Sequence, residues 1–300
     1  MLDAIATASQ GTLSAAVFFG SRSSGVATNA SSAYDLMLVC EDAPAFYRAM
    51  QGARYLRRSP TVLRLLDPWL PPTQIRLAGA DWLVKASVLS MRALLIATSD
   101  ERKDQFLAGR LFQDVHVVWI KDETAAQSIT AALESARLIT LDWVRPDLPK
   151  RFDVAGYVRQ LFRTSFRFEV RPETKGRADA LFDAQSERLV PMFRPMLDHY
   201  VASGRMSRIA TGEFAIDAPV EGHPLAHRLF LEWSRVRATA RWPKHAVTFD
   251  GWLDYIVRKA ERHSGETIVL TPIERSLPFI FLWPRAVAFL WRQSRKSRTV

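Results

Sequence analysis

A mixed α/β fold is expected of this chain, and three observations lead there. Short apolar runs at 15–19, 35–41, 74–77, 82–89 and 115–120 alternate or fill in the manner of strands. Alanine-rich or amphipathic stretches at 3–15, 46–56, 124–139, 154–170 and 177–201 carry the helical period. A chain of 300 residues, 48% hydrophobic and 24% charged, is a folded protein of two domains, or of one large domain with an appendage.

The elements follow in order. Leu2, Ile5 and Leu13 punctuate an Ala-rich first helix, and Ala15 to Phe19 make the first strand. Gly20-Ser21 turns the chain, a Ser-, Gly- and Asn-rich loop runs from Arg22 to Tyr34, and Asp35 to Glu41 form the second strand. A period of two puts Asp35, Met37, Val39 and Glu41 on one face of it and Leu36, Leu38 and Cys40 on the other. Asp35 and Glu41 stand roughly 20 Å apart in an extended strand, too far to share one metal ion. Ala43-Pro44 stops the strand, and Asp67-Pro68-Trp69-Leu70-Pro71-Pro72 cannot continue the helix that follows. Strands 74–77 and 82–89, joined at Gly79-Ala80-Asp81, read as a hairpin. Lys85, inside an otherwise apolar strand, is either a phosphate ligand aimed into a site or a lysine blunting a sheet edge. Ser90 caps a helix from Met91 to Thr98. Val115 to Ile120 reads as a buried strand in which His116 is a structural histidine rather than a ligand.

Beyond Asp122 the pattern turns helical, and Pro146 to Pro149 marks a boundary. Arg163, Arg167 and Arg171 recur every four residues on one slightly drifting helical face, which is either a phosphate-binding or a solvated basic surface. Gly204 to Pro224 is polar and β-capable through Ile209, Phe214 and Ile216, which allows a small wing. After Trp242-Pro243, Thr248 is placed to cap an amphipathic helix with Phe249, Trp252, Leu253, Ile256 and Val257 on one face, ending at Gly265. Leu277 to Trp291 is aromatic-rich, broken at Pro284-Arg285, and followed by Arg292, Arg295, Lys296 and Arg298. Trp and Phe flanked by Arg and Lys suit a helix lying in a membrane interface; the other reading is a hydrophobic helix packed on the core or on a partner subunit. With no run of about 18 apolar residues, a membrane-spanning helix is not expected.

A net charge of +10 points to an anionic partner: nucleotide, nucleic acid or acidic lipid. No regular basic-aromatic surface for stacking single strands is present, so nucleic acid is not the expected partner. A single cysteine, Cys40, excludes an internal disulfide and a multi-thiolate zinc site, and its apolar strand makes it a small buried hydrophobe. Residues 1–19 hold Asp3 and no Lys or Arg, unlike a secretory leader or an Arg-rich transit peptide.

The stretch from Val17-Phe18-Phe19-Gly20-Ser21 to Asp35 carries the chemistry. Thirteen residues separate Ser21 from Asp35. Nucleotidyltransferases of the polymerase-β type use this layout: the Gly-Ser turn offers N–H groups and a hydroxyl to a triphosphate, and the next strand holds carboxylate for Mg²⁺. The bland alternative is a Gly-Ser turn before an ordinary buried strand.

With these pieces in place, the chain resembles the mitochondrial phosphatidate cytidylyltransferases, the peripheral CDP-diacylglycerol synthases of the translocator assembly and maintenance family. Phe19-Gly20-Ser21 with Ser24-Gly25-Val26 is similar to that family's aromatic-Gly-Ser-Gly-Val loop. Tyr34 to Asp42 resembles its acid-ended strand, Lys85-Ala86-Ser87-Val88-Leu89-Ser90 its Lys-Tyr-Gly-Val-Ile-Ser strand, and Leu107-Ala108-Gly109-Arg110-Leu111 its Ala-Gly-Arg-Leu signature. The resemblance covers residues 15–120 and fades afterwards. It implies a polymerase-β-like mixed-sheet domain over 1–145, a mainly helical, winged-helix-like domain over 146–241, and a C-terminal amphipathic helical region with a basic, membrane-associating tail over 242–300. It further implies CTP and Mg²⁺, with Gly20, Ser21, Ser24 and Gly25 at the nucleotide, Asp35 on the metal, and Lys85 and Arg110 neutralising phosphates. Phosphatidic acid would be the acceptor, and CDP-diacylglycerol and pyrophosphate the products. The protein is then expected on the cytoplasmic face of a bacterial membrane, or on the matrix face of the mitochondrial inner membrane in a eukaryote.

One departure stands out. The family's later acidic position falls on Ser165, which leaves Glu169 or Glu41 as candidate substitutes. The alternatives are a nucleotidyltransferase with another acceptor and a non-catalytic, membrane-associated protein on a degenerate transferase fold.

Overall fold

Strand-forming runs with one apolar face toward each of two helical layers build the central sheet. The structure, a computed structural model, describes residues 1–20, 22–23, 33–167, 176–216, 224–264, 267–276 and 281, apart from the side chains of 224, 259, 260, 262–264 and 276. Helix α1 (Leu2–Ala8) leads to β1 (Leu13–Phe19) and β2 (Tyr34–Cys40). Helices α2 (Ala43–Gly52) and α3 (Pro60–Leu66) cross over to β3 (Thr73–Ala78) and β4 (Leu83–Ser90). Helices α4 (Met91–Thr98) and α5 (Ala108–Leu111) then precede β5 (His116–Ile120). The strand order is β3-β4-β2-β1-β5; β2 and β4 are parallel and the other neighbours antiparallel. Lys85 is therefore on an interior strand, which removes the edge-lysine reading.

Local chemistry accounts for the helix starts. The side chains of Asp42 and Ser90 accept N–H bonds from Ala45 at 3.0 Å and Ala93 at 3.2 Å, so each strand end becomes a helix N-cap. Asp122 does the same for Ala125 at 2.8 Å, opening α6 (Glu123–Leu138). The first helix is shorter than the Ala-rich pattern suggests, because Gln10 and Gly11 adopt positive φ and turn the chain into β1.

One sheet face, with Leu36, Leu38, Ile75, Val84 and Val88, packs on Ile5, Phe46, Met50 and Leu63 of α1, α2 and α3. The other, with Val17, Met37, Val39 and Leu89, packs on Leu94, Leu111, Ile129 and Ala136 of α4, α5 and α6. Cys40 lies fully inside the first of these cores, and burial raises its thiol pKa, as suits an inert cysteine. Strand β5 departs from expectation: it is an edge strand, with Val117 and Ile120 exposed rather than buried.

A third core lies beyond α7 (Thr140–Val144). Trp143, Phe152, Tyr157, Phe162, Phe193 and Phe214 gather there from α7, β6 (Arg151–Asp153), α8 (Val154–Arg167), α9 (Arg177–Ala202) and β8 (Glu213–Ala215), with β7 (Ser207–Ala210) alongside β8. The three short strands form a second antiparallel sheet, ordered β6-β8-β7, in the place where a small wing is expected. On α8, Arg163 pairs with Asp179 at 2.9 Å and Arg167 with Asp147. These two arginines are bound to carboxylates rather than forming a bare basic stripe; Arg171 lies outside the described residues.

Helices α10 (Pro224–Thr248), α11 (Trp252–Ser264) and α12 (Pro272–Ser276) follow. Helix α10 runs through Trp242-Pro243 without a break, and Thr248 ends it instead of capping the next helix. The Thr248 hydroxyl donates to the Gln74 carbonyl at 2.6 Å, fastening α10 to β3. Among the described residues no helix is long and apolar enough to cross a membrane. The aromatic segment from Leu277 to Trp291, Phe281 apart, lies outside the described residues, as does Gly265.

Candidate functional site

At the end of the sheet where β1 leaves and β2 and β4 enter, pairing fixes a row of side chains. Phe19 stands opposite Asp35, Asp35 opposite Lys85, and Lys85 opposite Arg76. Alternation places these residues on the face shared with Val17, Met37 and Val39. Gly20 follows at φ +89°, and its carbonyl helps turn the chain back: Ser23 N–H donates to Gly20 C=O at 3.1 Å. The Asp35 carboxylate rests against this turn so closely that a Cβ on residue 20 would meet Asp35 Oδ2 at 2.6 Å. Both the left-handed φ and this approach require glycine.

The structure thus brings together three of the expected residues, Gly20, Asp35 and Lys85. Ser21, Ser24 and Gly25 lie outside the described residues. Arg110 stands on α5, its guanidinium 3.8 Å over the Phe106 ring. The guanidinium of Arg241 on α10 lies 4.4 Å from the centre of the same ring. Arg241 donates to Asp104 Oδ2 at 2.8 Å and to the Pro71 carbonyl at 3.0 Å, and Arg237 donates to Asp104 at 2.8 Å. Burial raises the Asp104 carboxyl pKa, but the charge and hydrogen bond of Arg241 with that of Arg237 outweigh it and hold it below the usual value.

Helix α10 adds two further groups. Lys244 donates to the Trp69 carbonyl, and burial lowers its pKa to about 8. His245 lies close by, its Nε2 closed off from solvent and without a hydrogen-bond partner. Burial, then the positive charges of Lys85, Lys244, Arg241 and Arg110, lowers its pKa to about 3. The imidazole is therefore neutral beside four cations. A neutral ring there adds nothing to the charge of the cations around it. Sequence reading missed these α10 groups because they sit more than a hundred residues from the motif. The available signal was the run of Arg241, Lys244 and His245 at helical spacing.

Ser165, at the position where the resemblance places an acid, is buried on α8 and donates to the Gly109 carbonyl at 3.4 Å. A Cβ on Gly109 would stand 3.1 Å from that hydroxyl, so the pair sets how closely α5 and α8 approach. Glu41 cannot replace the missing acid: it ends the far side of β2 and accepts from Lys121 Nζ at 2.8 Å. Glu169 lies outside the described residues. His116 is not an enclosed structural histidine; it is partly exposed, 3.5 Å from Arg188 Nη1.

Mg²⁺ in nucleotide sites is commonly held by one or two carboxylates with phosphate oxygens completing the shell. No group of three metal-capable side chains occurs among the described residues. Asp35 fits the one-carboxylate form, in which phosphates of the substrate supply the other oxygens.

No protein-family model matches the chain, and no curated protein matches its sequence significantly.

Proposed function

We propose that this chain is a polymerase-β-like nucleotidyltransferase that moves CMP from CTP to phosphatidic acid, working as a peripheral protein on the cytoplasmic side of a membrane. The observation that carries this reading is the adjacency of Gly20, Asp35 and Lys85 at one sheet end, with Arg110 and the α10 cations beside them. The small second sheet on a helical bundle supports a winged-helix-like partner domain.

The chemistry asks little of the protein beyond placement and charge. The acceptor phosphate is already ionised, so no general base is needed. Its oxygen attacks the α-phosphorus; a new P–O bond forms, the bond to the bridging oxygen of the β-phosphate breaks, and pyrophosphate leaves with the electron pair. The Gly20 turn holds the triphosphate close, and Lys85 and Arg110 balance the charge on the non-bridging and leaving oxygens. Asp35 would hold Mg²⁺, which when bound neutralises charge on the leaving pyrophosphate.

The test is incubation of the protein with α-labelled CTP, Mg²⁺ and phosphatidic acid vesicles, followed by solvent extraction. Label in the lipid phase, absent with Asp35→Asn, is expected. Label in a different acceptor, such as an RNA end, would overturn the choice of substrate and keep the reaction class. The buried Ser165 hydroxyl favours one other reading, a non-catalytic protein on a degenerate transferase fold. Absence of Mg²⁺-CTP binding would decide for it.

A further inference from the structure

Helix α10 has its polarity reversed with respect to an ordinary surface helix. Its inward face carries Ser234, Arg237, Arg241 and His245. Ser234 accepts the Gln105 N–H at 2.9 Å, and the two arginines hold Asp104. Its outward face is apolar: Leu225, Leu229, Trp233 and Val236 are each more than half exposed, and Val247 continues the line. At 3.6 residues per turn these side chains fall within a sector of about 80°, opposite the buried polar one. The stripe runs nearly the full 25 residues of the helix, about 37 Å. Leu65 and Trp69, both about 70% exposed, stand at its C-terminal end, where Lys244 bonds to the Trp69 carbonyl. An apolar surface this long and continuous is unusual for a face left to water.

We propose that the outward face of α10 is a docking surface for an anionic phospholipid bilayer, and that it lies flat in the interface. The flanks decide the occupant. Arg228 and Arg235 border the stripe with one acid, Glu232, between them, and the whole chain carries +10. Trp233, within the stripe, supplies a ring that favours the headgroup boundary. Lipid phosphates complement these arginines. This surface also places the groups of the candidate site on the opposite side of the helix that touches lipid, though the binding itself does not depend on nucleotide transfer.

The test uses the full chain with Val236→Cys, labelled with an environment-sensitive fluorophore; Cys40 is fully buried and does not compete. Vesicles of phosphatidylcholine with phosphatidylglycerol should raise and blue-shift the emission, and phosphatidylcholine alone should do so much less. In the unlabelled protein, Leu229→Glu with Val236→Glu should weaken sedimentation with the anionic vesicles about tenfold or more, with unchanged circular dichroism. Sedimentation without any change in emission would show that another surface binds, and would overturn the proposal. So would failure to bind vesicles at all, or an emission change that follows protein concentration in the absence of lipid, which would assign the stripe to a second copy.

Discussion

Gly20 and Asp35 depend on each other at the scale of single atoms. A Cβ at residue 20 would collide with Asp35 Oδ2 and would occupy a left-handed φ. Gly20→Ala is therefore expected to cost about 1–2 kcal/mol of stability from the backbone alone. It should also remove most nucleotide transfer by displacing the carboxylate; chemical denaturation and labelled-CTP turnover read the two effects separately. His245 makes a second prediction through linkage. Its folded pKa of about 3 lies below the ordinary value of 6.5, so the unfolded chain binds the proton more readily. The stability tied to the neutral ring is thus complete above about pH 6.5 and is lost as pH falls from there toward 3. His245→Gln should lose on the order of 1–2 kcal/mol less than the natural protein between pH 7 and pH 5. Identical pH dependence of the two proteins in urea titrations would show that the ring is not held neutral.

Among the elements, α10 is tied down by polar contacts beside the apolar ones of Leu231 and Ala238 on its inner face, and Asp104 is the anchor. It is buried and takes hydrogen bonds from both Arg237 and Arg241. Asp104→Ala leaves two cations facing each other without their counter-charge, and breaking such a buried pair costs about 3–5 kcal/mol. A fall in denaturation midpoint of that size is expected, with faster hydrogen exchange along 234–246. A change below about 0.5 kcal/mol would place the anchor elsewhere. The same elements show what was legible in the sequence. The strands of the first half and the Ser90 cap could be read directly, since period-two alternation and capping residues are local signals. So could the Gly20-Asp35 turn. Strand order was not legible, and with it the interior position of Lys85, because β4 takes its place between β3 and β2 only through long-range parallel pairing with β2. Helix α10 was misread at Trp242-Pro243 and Thr248. A proline within a helix looks like a start from sequence alone, and a threonine that caps nothing looks like a cap until its hydroxyl is found on Gln74.

The whole molecule sets a five-stranded sheet with two packed faces beside a third core of helices and a small second sheet. Helix α10 joins these to the candidate site, holding its basic residues against the sheet end and its apolar stripe outward. A molecule with +10 net charge should bind anionic ligands less well as salt rises, and vesicle association is expected to fall steeply between low ionic strength and about 0.5 M. The central claim is that the end of the sheet at Gly20, Asp35 and Lys85 holds a nucleoside triphosphate. Calorimetric titration of CTP with Mg²⁺ into the natural protein and into Lys85→Ala tests it most directly. Saturable binding, weakened roughly ten- to a hundredfold by loss of the lysine, is the expected result. Equal affinity in both proteins, or none in either, would contradict it.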